Sequence, residues 1–174
     1  MPLPKKFDEN EIFIIIVSII FTLILVYLFP KRLSYPINII IILFNISIGI
    51  TTDHILAGPP LDLYDVMDSK KFELFDLILY IFVYGPFTYI AIYIYDKWLY
   101  HKSTIKKFFY LVFLSLLNTG FEVIAVYLKI YIYHGWKPYY SFSVYLLIYY
   151  INFHLIKLLK NTEIKEQILK DNLT

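Results

Sequence analysis

The chain has 174 residues, 59% of them hydrophobic, 20% aromatic and only 17% charged. A soluble domain carries about 25% charged residues, and here the charges fall between the apolar runs, so an ordinary soluble domain is excluded. A net charge of +2 and the absence of Cys argue against a nucleic-acid partner and exclude disulfides, thiol catalysis and thiolate metal sites.

Five apolar runs lie near 11–29, 36–56, 72–98, 108–129 and 139–159. A helix needs about 20 apolar residues to cross the hydrocarbon. In lipid only helices or closed barrels satisfy the backbone, and a barrel would show short alternating segments. The expected fold is therefore all-α, an integral membrane bundle of about five transmembrane helices. It forms one domain over 1–174, with the lipid bilayer around it and a short cytoplasmic tail at 160–174.

The N-terminal MPLPKKFDENE mixes Lys5 and Lys6 with Asp8, Glu9 and Glu11. The run after it is longer than a signal core, and no small-residue cleavage site follows. The first helix is expected to stay as a span, an almost featureless lipid-facing anchor.

The second helix differs, because Asn38, Asn45, Ser47, Gly49 and Asp53 interrupt it. Asn45, Gly49 and Asp53 are four apart and share one face. Small and polar residues on one face mark a packing seam between membrane helices. Asp53 and His54 sit near its outer end, within reach of water. Gly58, Pro59 and Pro60 end the helix.

In the next loop Asp62, Asp65 and Asp68 recur every third residue. On a helix these would be neighbours, in a segment lying at the membrane surface with its acids toward water. Such carboxylates suit a divalent cation, Ca²⁺ or Mg²⁺. The plain alternative is a solvated acidic loop with Asp68 capping the third helix.

The third helix carries Gly85-Pro86 near its middle, where Pro removes a backbone bond and predicts a kink. Tyr84 and Tyr89 flank that point as candidates to line an interior pocket. The fourth helix carries Glu122, read as near the middle of the span, with Asn118 one turn earlier and Ser115 on nearly the same face. An ionisable group inside a span is a functional hypothesis by default. The alternative is a protonated Glu that glues two helices by hydrogen bonds. His134, Gly135 and Trp136 form an aromatic turn before Pro138 opens the fifth helix, which carries Asn152 and His154.

Lys and Arg are enriched in cytoplasmic loops. Five spans put Lys5, Lys6, Lys70, Lys71, Lys129 and Lys137 on one side. The other side holds Lys31, Arg32, Lys97, Lys102, Lys106, Lys107 and the C-terminal lysines. The N-terminus is thus expected outside and the C-terminus in the cytoplasm, with an acidic outer face.

The pattern of Phe121-Glu122, His134-Gly135-Trp136 and Tyr139-Tyr140-Ser141-Phe142, together with DLYDVMDSKKFELFDLILY, resembles a group of small multipass membrane proteins of Bacillus-like Firmicutes. The likeness covers helices 2 to 5. It implies a bacterial plasma-membrane protein and brings no activity and no catalytic residues.

Three functions fit these residues. The first is a non-enzymatic component that binds a small ligand or assembles with itself or with a membrane protein partner. The second is a small transporter, or the substrate-capturing subunit of one, working through Glu122. The third is a metal-dependent lipid-phosphate enzyme using Asp62, Asp65 and Asp68, with His54 or His134 as acid or base.

Overall fold

Five helices occupy the five apolar runs: α1 (Glu9–Leu28), α2 (Tyr35–Ala57), α3 (Leu74–Leu99), α4 (Thr104–Tyr127) and α5 (Pro138–Asp171). All five are long and apolar enough to cross a membrane. The computed structural model describes residues 7–29, 32–67 and 72–171. Side chains such as Leu23, Phe109 and Leu116 stand exposed on the bundle's outside, an apolar surface of the kind that membrane helices turn to lipid.

Local chemistry sets the helix ends. α1 begins at a reciprocal cap, in which the Asp8 side chain accepts from the Asn10 N–H and the Glu11 carboxylate accepts from the Asp8 N–H at 2.8 Å. The turn into α2 is tied by the Asn38 amide, which donates to the carbonyls of Phe29 (2.7 Å) and Leu33 (3.3 Å). Pro36 stands in the first turn of α2, where its missing N–H costs nothing.

α3 is the central helix. Half of its most apolar stretch is buried, against 11% to 22% for the other four. It is not uniformly α-helical: the turns at Tyr80–Tyr84 and Tyr95–Leu99 are widened by one residue. The Gly85 N–H bonds back to the Tyr80 carbonyl. A proline ring clashes with the carbonyl four residues earlier, and the widened turn directly before Pro86 absorbs that misfit. The sequence predicts a kink there, and the chain resolves it as an extra residue in the turn.

α2 and α3 approach closely through two glycines. A Cβ on Gly49 would lie 3.0 Å from the Tyr84 ring and 3.3 Å from the Tyr80 ring. A Cβ on Gly85 would lie 3.2 Å from Ile46. Each helix thus supplies a gap for the other's bulk, as small residues do in membrane bundles.

α4 ends at Tyr127, earlier than the apolar run suggests. Lys129 takes the left-handed conformation at φ 59°. Its N–H bonds to Val126 and the Ile130 N–H to Ala125 at 2.8 Å. This is the Schellman reversal, with Lys where Gly is usual. The reversed chain forms β2 (Tyr131–Tyr133), which pairs antiparallel with β1 (Tyr64–Val66) in the register Tyr64↔Tyr133, Asp65↔Ile132, Val66↔Tyr131. So the bundle is not purely helical: a two-stranded sheet closes one end. The surface helix expected over Asp62, Asp65 and Asp68 is instead a turn, with Asp62 at φ 47°, leading into β1. Asp68 lies outside the described residues.

The sheet and the start of α1 share one end of the bundle, called here the sheet end. The α1–α2 and α3–α4 turns and the C-terminal part of α5 share the tail end. α5 has 34 residues and runs on to Asp171 as one helix instead of stopping near 159. At 1.5 Å per residue that is roughly 50 Å, well beyond the roughly 30 Å of hydrocarbon.

At the tail end the Asp96 side chain is fully buried and neutralised. Arg32 Nε reaches it at 2.5 Å, and Lys160 Nζ at 2.6 Å. Arg32 also donates to the Asp96 carbonyl at 2.9 Å. One carboxylate thereby joins the α1–α2 turn, α3 and α5.

Candidate functional site

A cavity of about 450 Å³ lies between the helices toward the sheet end. Asp53 of α2 and Glu122 of α4 both line it. Each is about one turn from the sheet end of its own helix: Asp53 is four residues before Ala57 and Glu122 five before Tyr127. The mid-span position expected for Glu122 is therefore corrected. The apolar sequence runs on to Lys129, but the backbone has already reversed.

Asp53 accepts hydrogen bonds from two tyrosines, Tyr64 Oη at 2.6 Å and Tyr80 Oη at 2.8 Å. β1 supplies the first and the widened turn of α3 the second. Gly49 matters here, because it leaves room for the Tyr80 ring one turn from Asp53.

Glu122 accepts three. Ser141 Oγ donates at 2.5 Å and Tyr145 Oη at 2.6 Å, both from α5. Tyr133 of β2 donates the third. Trp136 Nε1 in turn donates to Ser141 Oγ at 2.7 Å. The Tyr64 ring packs edge-on against Trp136 at 5.7 Å between centroids. A single aromatic roof thus touches both carboxylates, through Tyr64 to Asp53 and through Trp136 and Ser141 to Glu122.

Burial pushes the Tyr64 hydroxyl above the ordinary tyrosine range, with the nearby Asp53 charge adding to the effect. Burial does the same at Tyr133, reinforced by its hydrogen bond to Glu122. Both phenols therefore stay protonated and act as donors.

The roof is held by backbone geometry. The N–H groups of His134, Gly135 and Trp136 all point at the Leu63 carbonyl, at 2.9, 3.1 and 3.2 Å. Leu63 N–H is bonded to the Leu56 carbonyl at the end of α2. The HGW turn is thus pinned to the loop that follows Asp53. On the outer surface of the sheet, His134 Nε2 meets Asp65 Oδ2 at 2.7 Å.

Below the carboxylates, polar pairs hold the helices around the cavity. Asn45 and Asn152 exchange amide hydrogen bonds, both at 2.8 Å. Asn118 donates to Tyr149. On α5 these partners form one stripe, Ser141, Tyr145, Tyr149 and Asn152, spaced by four, four and three. That is one helix face. The spacing is present in the sequence, but tyrosines in a membrane helix look like interfacial aromatics and hide it.

The candidates picked from the sequence divide cleanly. Asn45, Asp53, Tyr84, Asn118 and Glu122 line the cavity. Ser115 does not: it is buried and bonds back to the Leu111 carbonyl of its own helix. Tyr89 is buried in the core toward the tail end, beside Phe29. His54 is exposed and is not part of the cavity lining. Asp65 is engaged by His134, and among the described residues no group of three His, Asp or Glu converges to hold a metal ion. Residues not foreseen are Tyr64, Tyr80, Tyr133, Trp136, Ser141 and Tyr145, which all act on the two carboxylates.

No protein-family model, curated protein or solved structure matches the chain.

Proposed function

We propose that the chain is a bacterial plasma-membrane protein that binds a small ligand in the cavity between its helices, with the sheet end outside and the C-terminus in the cytoplasm. The observation that carries this reading is that Asp53 and Glu122, carboxylates from two different spans, line one cavity. A pocket of about 300–1,000 Å³, mostly apolar with a few placed polar groups, is the usual form of a small-molecule site. Intramembrane acids are retained chiefly where they line such cavities. The orientation rests on the excess of Lys and Arg at the tail end.

Transport is the second reading, favoured by the widened turn at Tyr80–Tyr84. That turn bears directly on Asp53 through Tyr80, and broken helices beside a site are what transporters use. A lipid-phosphate enzyme on the loop aspartates has less support, since Asp65 is held by His134.

Gentle purification from native membranes, with mass spectrometry of whatever stays bound, tests the binding reading. Val144 lines the cavity, so Val144→Trp pushes an indole into it. A stoichiometric small molecule that is present in the parent and absent from V144W is the expected result. A stoichiometric protein partner and no small molecule would make the chain an assembly component instead.

A further inference from the structure

This inference rests on the reading of the cavity as a ligand site and names what the site takes. We infer that the ligand is an organic cation, a protonated amine or quaternary ammonium with an apolar body, whose charged head sits with Asp53 and Glu122.

The first argument is charge. The cavity lining includes both carboxylates and, among the described residues, no Lys, Arg or His. Asp96 shows how this fold closes a carboxylate that serves packing alone: it brings two cations to it. Asp53 and Glu122 receive only neutral hydroxyls. A carboxylate has about four lone-pair directions. Asp53 uses one on each oxygen, and Glu122 two on Oε1 and one on Oε2. Acceptor capacity is left on both, and both residues line the cavity.

The second argument is the wall. Tyr64, Tyr84 and Trp136 bring aromatic rings to the same cavity, and such rings attract ammonium groups that have shed water. Away from the carboxylates, Phe21, Phe87 and Phe121 form an edge-on series from α1 through α3 to α4, with centroids 5.5 and 5.8 Å apart. That surface suits hydrocarbon. A hydrated inorganic ion wants six or more oxygen ligands. The amide oxygen of Asn45 is already taken by Asn152, and among the described residues no group of three His, Asp or Glu converges to hold a metal ion. An anionic ligand would meet two like charges.

The test uses three probes that share one body and differ in head group: phenylbutylamine, phenylbutanol and phenylbutyrate. Binding is read from the thermal unfolding midpoint in a neutral detergent at pH 7. The amine is expected to raise the midpoint and to bind about tenfold or more tighter than the alcohol, with no shift from the carboxylate. Asp53→Asn with Glu122→Gln should reduce the amine to the level of the alcohol. An alcohol that binds as well as the amine, or a preference for the amine that survives the double substitution, overturns the cation inference and leaves the binding reading standing. Stabilisation by sodium or calcium chloride alone, lost in the double variant, assigns the carboxylates to an inorganic ion and overturns it too. If no probe shifts the parent and V144W behaves as the parent does, the binding reading itself fails.

Discussion

At the tail end, Asp96 is buried against Arg32 and Lys160. At the sheet end, Asp53 and Glu122 are met by five hydroxyl groups and open onto a cavity. The same functional group is thus closed in one place and left available in the other. A carboxylate that only fastens helices works best when its charge is cancelled by its own protein, because a buried charge without a partner is costly. The tail-end arrangement meets that requirement with three segments and two cations. The sheet end does not meet it, although Lys129 and Lys137 lie in the neighbouring loop. The two ends therefore answer different demands, architecture at one and availability at the other.

The largest effect should come from opening the closed end. Replacing both Arg32 and Lys160 with Met leaves Asp96 buried without a cation, at a cost of about 3–5 kcal/mol. Asp96→Asn should cost less, about 1–3 kcal/mol, since the side chains of Arg32 and Lys160 are 36% and 25% exposed and can turn to water. Chemical unfolding in detergent micelles reads both. If D96N proves worse than the double cation variant, the cluster is not held together in the way described.

Next in size is Gly49→Val, which acts at the sheet end through packing. Even a Cβ would sit 3.0 Å from the Tyr84 ring, so the tyrosines of α3 must move, and overpacking of this kind costs about 1–3 kcal/mol. The same displacement pulls Tyr80 from Asp53, so a change in the cavity should accompany the loss of stability. Smaller again is Asn45→Leu, which takes the donor away from Asn152 Oδ1 while its amide keeps the Ile148 carbonyl. Interhelical hydrogen bonds in membranes are worth about 0.6–2 kcal/mol. The double variant with Asn152→Leu should cost less than the two single changes added together, because no polar group is then left unmatched.

The spans were legible because lipid demands about 20 apolar residues of every helix, and no packing detail overrides that. The α2 face was legible for a similar reason: Asn45, Gly49 and Asp53 recur at helical spacing. The sheet was not, since Tyr64–Val66 and Tyr131–Tyr133 are three-residue strands far apart in sequence. No periodicity can be read in three residues. Their pairing depends on the reversal at Lys129, where the usual glycine signal is absent. That reversal also leaves Glu122 nearer the end of its helix than the apolar run implies. Asp96 carries no signal of its own, because DKW at a helix end reads as an ordinary interfacial acid; only the fold brings Arg32 and Lys160 to it. The tyrosine partners of the carboxylates were hidden by abundance, since the chain has 18 tyrosines and most positions suit a membrane interface equally well.

The smallest expected change in stability is the sharpest test of the contrast. Glu122→Gln keeps the shape, and its carbonyl can still accept from Ser141 and Tyr133. Tyr145 can rotate its hydroxyl hydrogen away and accept from the new amide, because a phenol both donates and accepts. All three contacts therefore survive, and the stability change should stay below about 1 kcal/mol. At Asp96 the same acid-to-amide exchange removes the charge that two cations were placed to meet. A cost for E122Q as large as that for D96N would make Glu122 a structural carboxylate like Asp96. A stable E122Q that no longer holds the amine probe would show that what the sheet end requires of Glu122 is its charge.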